Sequence, residues 1–128
     1  MRIKFRDGLL FVSLAITYHG QTKVIDNIVI DTGATHSIVS PDVVNDLGIV
    51  FERGDAVVTS YGIGGKQYAF SKRVDRVVLG SFEVSECIID FGLVDPDGKI
   101  NALLGLDLLM KAGAVIDLKN LLLYAGTF

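Results

Sequence analysis

Asp31, Thr32, Gly33 and Ala34 stand consecutively after the apolar run Ile28-Val29-Ile30, and Thr35-His36-Ser37-Ile38-Val39 follows them. A carboxylate lifted out of a buried strand onto a glycine turn is placed to activate water. Thr32 can hydrogen-bond around such a turn, and Gly33 lets another backbone approach closely. Hydrolysis of an amide by carboxylates needs two of them side by side. Two such groups in contact share one proton, so the ionised member takes a proton from water while the protonated member polarises the carbonyl. The chain supplies one aspartate of this kind. Asp26, Asp42, Asp55, Asp90, Asp107 and Asp117 all lack a following Thr-Gly or Ser-Gly. The second carboxylate must therefore come from another chain, and a symmetric dimer that brings Asp31 to its own copy on a two-fold axis meets the requirement.

The elements that must position Asp31 are mostly strands. Leu9–Thr17 and Thr22–Ile30 read as the two arms of a hairpin turning at Tyr18-His19-Gly20-Gln21, and the second arm delivers Asp31. Further strands are predicted near 37–39, 55–60, 67–74, 76–79, 82–89, 115–117 and 121–124. Ser40 as N-cap, Pro41 at the first helical position and Gly48 at the end predict a short helix over 41–47. A second runs from Leu106 to Ala112 and stops at Gly113. The chain shows no internal repeat, linker or low-complexity tract, and reads as one mostly-β domain spanning residues 1–128.

Composition narrows the function classes. At 128 residues, half of them apolar, the chain can bury one substantial core. A net charge of −3 leaves no basic footprint for nucleic acid, and Lys72, Arg73 and Arg76 read as a solvated strand edge. The single cysteine, Cys87, forms no intrachain disulfide and reads as a buried, inert thiol. With His19 and His36 as the only histidines, no structural zinc site and no cofactor are expected. Gly8–Ile16, following a positively charged start, superficially suggests a signal-peptide core, but Thr17-Tyr18-His19-Gly20 is a poor cleavage region. No run is long enough to span a membrane. A soluble, cytoplasmic protein is the expectation.

Three blocks in order carry a resemblance to a known family. They are Ile30-Asp31-Thr32-Gly33-Ala34, then Tyr61-Gly62-Ile63-Gly64-Gly65, then Ala102-Leu103-Leu104-Gly105-Leu106-Asp107-Leu108-Leu109. The chain resembles the retropepsin-like aspartic proteases, single-domain homodimers, and its last block is especially like the protease domain of DNA-damage-inducible ubiquitin-shuttle proteins. The resemblance implies a closed β-barrel or sandwich with a flap hairpin, acting on peptide or protein substrates. It assigns Asp31 as acid/base, Thr32 as a hydrogen-bonding tie between the two catalytic loops, and Gly33 as an acceptor for substrate backbone. Ala34 and Thr35 would border the substrate. Gly62, Ile63, Gly64 and Gly65 would form a flap closing on an extended peptide, and Leu104-Gly105 would pack beneath the catalytic loop.

The chain departs from the viral pattern at two places. An acidic residue usually follows the Asp-Thr-Gly-Ala turn and an arginine follows the later glycine, and these pair. Here the positions are Thr35 and Leu106, so another support for the loop is expected. The Leu121–Tyr124 strand is a candidate for dimer contact, since an uncovered apolar strand invites edge pairing. Each motif also has a plainer reading. Asp31 alone could close a strand, Gly62–Gly65 could be an ordinary hairpin loop, and His36 could be a solvated side chain. Tyr61 and Tyr68 read equally as groove lining or strand-face packing. The alternative function is a peptide-binding or dimerisation module of the same fold with little or no catalysis.

Overall fold

Apolar runs punctuated by turn residues become strands throughout the computed structural model, which describes residues 1–62 and 65–126. The strands are β1 (Lys4–Arg6), β2 (Leu9–Tyr18), β3 (Gln21–Ile30), β4 (Ile38–Val39), β5 (Val57–Gly62), β6 (Gly65–Leu79), β7 (Phe82–Gly92), β8 (Ala102–Leu104), β9 (Ala114–Asp117) and β10 (Leu122–Ala125). One α-helix, α1 (Leu106–Ala112), lies between β8 and β9. The main sheet runs β1-β2-β3-β8-β4-β7-β6-β5. A further β2–β6 pairing, Ala15↔Val78 to Thr17↔Arg76, joins its ends. β2, β3, β8, β4, β7 and β6 therefore close into a six-stranded barrel, the mostly-β architecture expected of a retropepsin-like chain. β5 extends from β6 as one arm of a hairpin.

Alternation along the strands sends Val12, Leu14 and Ile16 of β2, Val74 of β6 and Ile89 and Phe91 of β7 into the interior. Ile28, Val29 and Ile30 at the end of β3 are all buried. They pair in parallel with Ala102, Leu103 and Leu104 of β8, so this segment is covered on both faces, as internal parallel strands are. The residue that follows it, Asp31, is thereby fixed at the end of a rigid strand.

The hairpin at Tyr18–Gln21 forms as predicted, with His19 and Gly20 both at positive φ, as the favoured two-residue hairpin turn requires. Three expectations are corrected. The 41–47 helix is two 3₁₀ turns, Pro41–Val43 and Asn45–Leu47, separated at Val44 (φ −121°, ψ 4°). Ser40 precedes them, but its side chain makes no capping bond. The segments 67–74 and 76–79 are one strand. The β6–β7 register runs unshifted past Asp75, from Val74↔Cys87 to Arg76↔Ser85, and the Asp75 carboxylate accepts the Gly20 N–H (3.0 Å). Lys72 is not part of a solvated edge. It is buried at 9 % exposure, with its ammonium 2.6 Å from Glu52 and 2.9 Å from Asp55.

β9 and β10 form a separate antiparallel hairpin. The N-terminal residues lie along its outer strand: Ile3 N–H donates to the Leu121 carbonyl (2.8 Å) and Leu123 N–H to the Met1 carbonyl (2.9 Å). The β10 edge that the sequence offers for dimer contact is thus already covered within the chain. Among the described residues no helix is long and apolar enough to cross a membrane.

Candidate active site

The site is built outward from the end of β3. The parallel ladder continues one residue past the strand, where Asp31 N–H donates to the Leu104 carbonyl (2.9 Å). The chain then turns. Ala34 N–H donates to the Asp31 carbonyl (3.1 Å), and Gly33 N–H donates to Asp31 Oδ1 (2.9 Å). That second bond orients the carboxylate. Among the described residues Oδ2 receives no protein donor, so it is left for water or substrate. A Cβ on residue 33 would lie 3.2 Å from Asp31 Oδ1, so glycine keeps the carboxylate uncrowded. Asp31 and Ala34 are half-buried, while Thr32, Gly33, Thr35 and His36 are exposed.

The support beneath this loop is the start of α1. The first N–H groups of a helix lack partners inside it, and here the loop that follows Asp31 supplies them. Leu106 N–H donates to the Ala34 carbonyl (2.8 Å) and Asp107 N–H to the Thr35 carbonyl (3.1 Å). Ser37, buried at 3 % exposure, receives the Gly105 N–H on its hydroxyl (2.9 Å) and donates that hydroxyl to Asp107 Oδ1 (2.7 Å). The same oxygen accepts the N–H groups of Ser37 (2.9 Å) and Leu108 (2.8 Å). The Ser37–Asp107 pair thus takes the place of the ion pair ruled out at Thr35 and Leu106. Sequence reasoning passed over both residues. The available signal was an acidic residue in the first turn of an otherwise apolar helix, where a helix N-terminus favours it. Gly105 makes the close docking possible, since a Cβ there would lie 2.8 Å from the Ala34 oxygen and 2.8 Å from the His36 carbonyl carbon.

Above the loop the β5–β6 hairpin brings Gly62 opposite Gly65, with Val57↔Phe70 and Thr59↔Tyr68 lower down. Ile63 and Gly64, the tip expected for the flap, lie outside the described residues. Consecutive residues of β5 face opposite ways. Val58 lines a cavity of about 490 Å³ with His36, Ser71, Asp90, Asp107 and Lys111, so this space opens where the chain leaves the Asp31 turn. Val57 lines a separate apolar groove of about 300 Å³ with Pro41, Phe51, Tyr68, Phe70 and Phe91. Tyr68 belongs to that second groove and not to the cavity at His36. Cys87 borders the larger cavity. It is buried, and burial pushes its thiol pKa up, outweighing the nearby Lys111 ammonium. It therefore stays protonated and unreactive. No group of three or more His, Cys, Asp or Glu side chains among the described residues could hold a metal ion.

Residues 14–108 match the family model described as aspartyl protease. The fold is similar to the crystal structure of a retropepsin-like aspartic protease from Rickettsia conorii, with a TM-score of 0.67 and 25 % sequence identity. That likeness covers 95 % of this chain and 94 % of the other. A comparison with curated proteins gave no match.

Proposed function

The chain belongs to the aspartyl protease family, and on that premise we propose that it is a homodimeric endopeptidase in which Asp31 of each of two copies activates one water for attack on an extended peptide. The observation that carries this reading is the Asp31 carboxylate itself. It sits at the end of a strand fixed on both sides, one oxygen is held by the Gly33 N–H, and the turn bearing it is exposed. Exposed Thr32 and Gly33 are what a loop facing a second copy presents, and the chain contains no second Asp-Thr-Gly or Asp-Ser-Gly.

The reaction assigned to the pair is general acid–base hydrolysis. The ionised aspartate takes a proton from the water as it attacks the scissile carbonyl. The protonated aspartate donates to the developing oxyanion; then the C–N bond breaks as the proton taken from water passes to the leaving amine and the hydroxyl proton returns to the second aspartate. In this reading Thr32 bonds across to the other catalytic loop, the Gly33 carbonyl receives substrate N–H, and Ala34 and Thr35 flank the peptide. The β5–β6 hairpin, with Gly62, Ile63, Gly64 and Gly65 at its end, closes over the substrate and excludes water. The whole of residues 1–128 acts as one unit, and we assign it to the cytoplasm on its single, unpaired thiol.

The test is cleavage of a diverse peptide library from about pH 4 to 7, a range a shared-proton pair can serve, by wild type and Asp31→Asn. Cleavage by wild type, reduced by about 10²–10⁴-fold or more in the variant, is the expected result. A folded, dimeric wild type that cuts nothing in the library would refute the proposal.

A further inference from the structure

Resting on the peptidase reading above, we propose that Asp90 is a specificity-determining residue that selects a lysine or arginine side chain of the peptide, about two to four residues from the bond cut. The sheet register places it. Val29 pairs with Leu103, Leu103 with Ile38, Ile38 with Asp90 and Asp90 with Ser71, so these five form one row across β3, β8, β4, β7 and β6. Paired residues share a face of the sheet, and alternate residues along a strand return to it. Asp31 lies two residues beyond Val29 with the ladder still running, so it stands on the same face as the row. The opposite face, with Ile30, Leu104, Val39 and Ile89, belongs to the core. Leu103, Ile38 and Asp90 are half-buried, and they floor a path leading sideways from the Asp31 turn. Its first two members are apolar and its third is a carboxylate.

Asp90 is held ready to receive a cation. Ser71 donates its hydroxyl to Asp90 Oδ1 (2.8 Å), and among the described residues Oδ2 receives no donor. Both residues line the cavity of about 490 Å³ that begins at His36. Three inter-strand spacings separate Asp90 from β3, about 14 Å at 4.8 Å each. An extended peptide covers that in about four residues at 3.3 Å each, and the four-carbon stem of a lysine shortens the count. Arg73 and Lys111 line the same cavity, which raises the opposite choice, an acidic side chain. Both are exposed, so each can turn its charge to water, and Arg73 already donates to the Glu86 carbonyl (3.1 Å). Asp90 is half-buried and oriented in advance by Ser71, so less is lost in fixing it and its attraction is less screened. Asp107 is a second half-buried carboxylate of the lining, with one oxygen committed to three donors. Among the described residues no ion pair neutralises either aspartate. The fixed charges of the cavity are therefore negative, and its positive ones are solvated.

The test uses N-acetylated decapeptides randomised over uncharged residues except at one position, fixed as lysine, glutamine or glutamate and moved along the peptide. Retention on Asp31→Asn protein, read by mass spectrometry at about pH 7 where a model aspartate is ionised, separates recognition from cleavage. At the position that meets Asp90, lysine should be retained roughly tenfold or more over glutamine, as a hydrogen bond to a charged group allows, and glutamate less than glutamine. Adding Asp90→Asn keeps an acceptor for Ser71 and should abolish the lysine preference. In the parent, a carbodiimide should couple the lysine amine to Asp90, a result open to reading even if the double variant does not fold. Retention indifferent to the fixed residue, or favouring glutamate, overturns the inference. So does a lysine preference that survives in the folded double variant, or coupling at Asp107 or Glu86 in place of Asp90. Lysine-selective, Asp90-dependent retention by a protein whose wild type cuts nothing sinks the peptidase reading alone. Cleavage by wild type with no such preference sinks the subsite alone.

Discussion

Gly105 and Asp107 decide whether Asp31 is held in place, though neither carries chemistry. The β-carbon of Gly105→Ala would meet three backbone atoms of the loop after Asp31 at 2.8–2.9 Å, and backbone cannot swing aside as a side chain can. The expected cost is about 1–3 kcal/mol of stability, seen as a lower melting temperature, together with a fall in kcat from the displaced turn. Asp107 Oδ1 accepts three donors, two of them from Ser37. Asp107→Ala leaves those donors without an acceptor and should cost about 2–4 kcal/mol in denaturant unfolding. Asp107→Asn keeps an amide oxygen in the same place and should lose markedly less. Equal losses in the two variants would mean that the charge, and not the acceptor geometry, matters. At this scale the Asp31 turn was legible as a candidate site because its residue types have few other uses in that order. The Ser37–Asp107 tie was not, since the partners are 70 residues apart and one serine beside a strand carries no periodic signal.

The elements show where pattern succeeds and where contacts override it. Long alternating runs such as β2 and β3 are read correctly from the sequence, because burial on one face enforces the period. β8 was not read as a strand. Its three residues show no alternation, and only pairing with β3 and β4 on either side makes it one. The 41–47 segment has the start and stop residues of a helix but breaks at Val44, whose side chain is fully buried. Lys72 was misread for a similar reason, since the acidic residues that hold it lie on the loop before β5. Burial works against its ammonium, but Glu52 and Asp55 outweigh that and hold its pKa above the ordinary lysine value. In return, the Lys72 hydrogen bond and then the Glu52 N–H hold the Asp55 carboxyl below the ordinary aspartate value. A lowered folded-state value means that the stabilisation is present above the unfolded pKa and is lost as pH falls through the folded one. The root of the β5–β6 hairpin should therefore loosen below about pH 4, near the model-peptide aspartate value. Calorimetry from about pH 3 to 6, spanning that value, should show a flatter acid limb for Lys72→Met than for wild type. Parallel limbs would remove this triad from the account.

At the scale of the whole molecule, the barrel is complete within one chain, while the proposed catalysis calls for two. The closed ring of six strands needs no partner. In the proposed mechanism the single Asp31 turn, exposed at Thr32 and Gly33, does. Folding and activity should consequently respond differently to mixing. When wild type and Asp31→Asn are combined in equal amounts and allowed to exchange subunits, random pairing gives wild-type pairs in about one quarter of the dimers. If both carboxylates act on one water, activity at fixed total protein should fall to about one quarter of the wild-type value, because mixed dimers hold one aspartate. If each chain worked alone, half the chains would remain active and the value would be about one half. The melting curve of the mixture should stay close to the average of its components, because the barrel of either chain is intact. A measured value near one half would leave the fold and the family unchanged but would place the second catalytic group within the same chain.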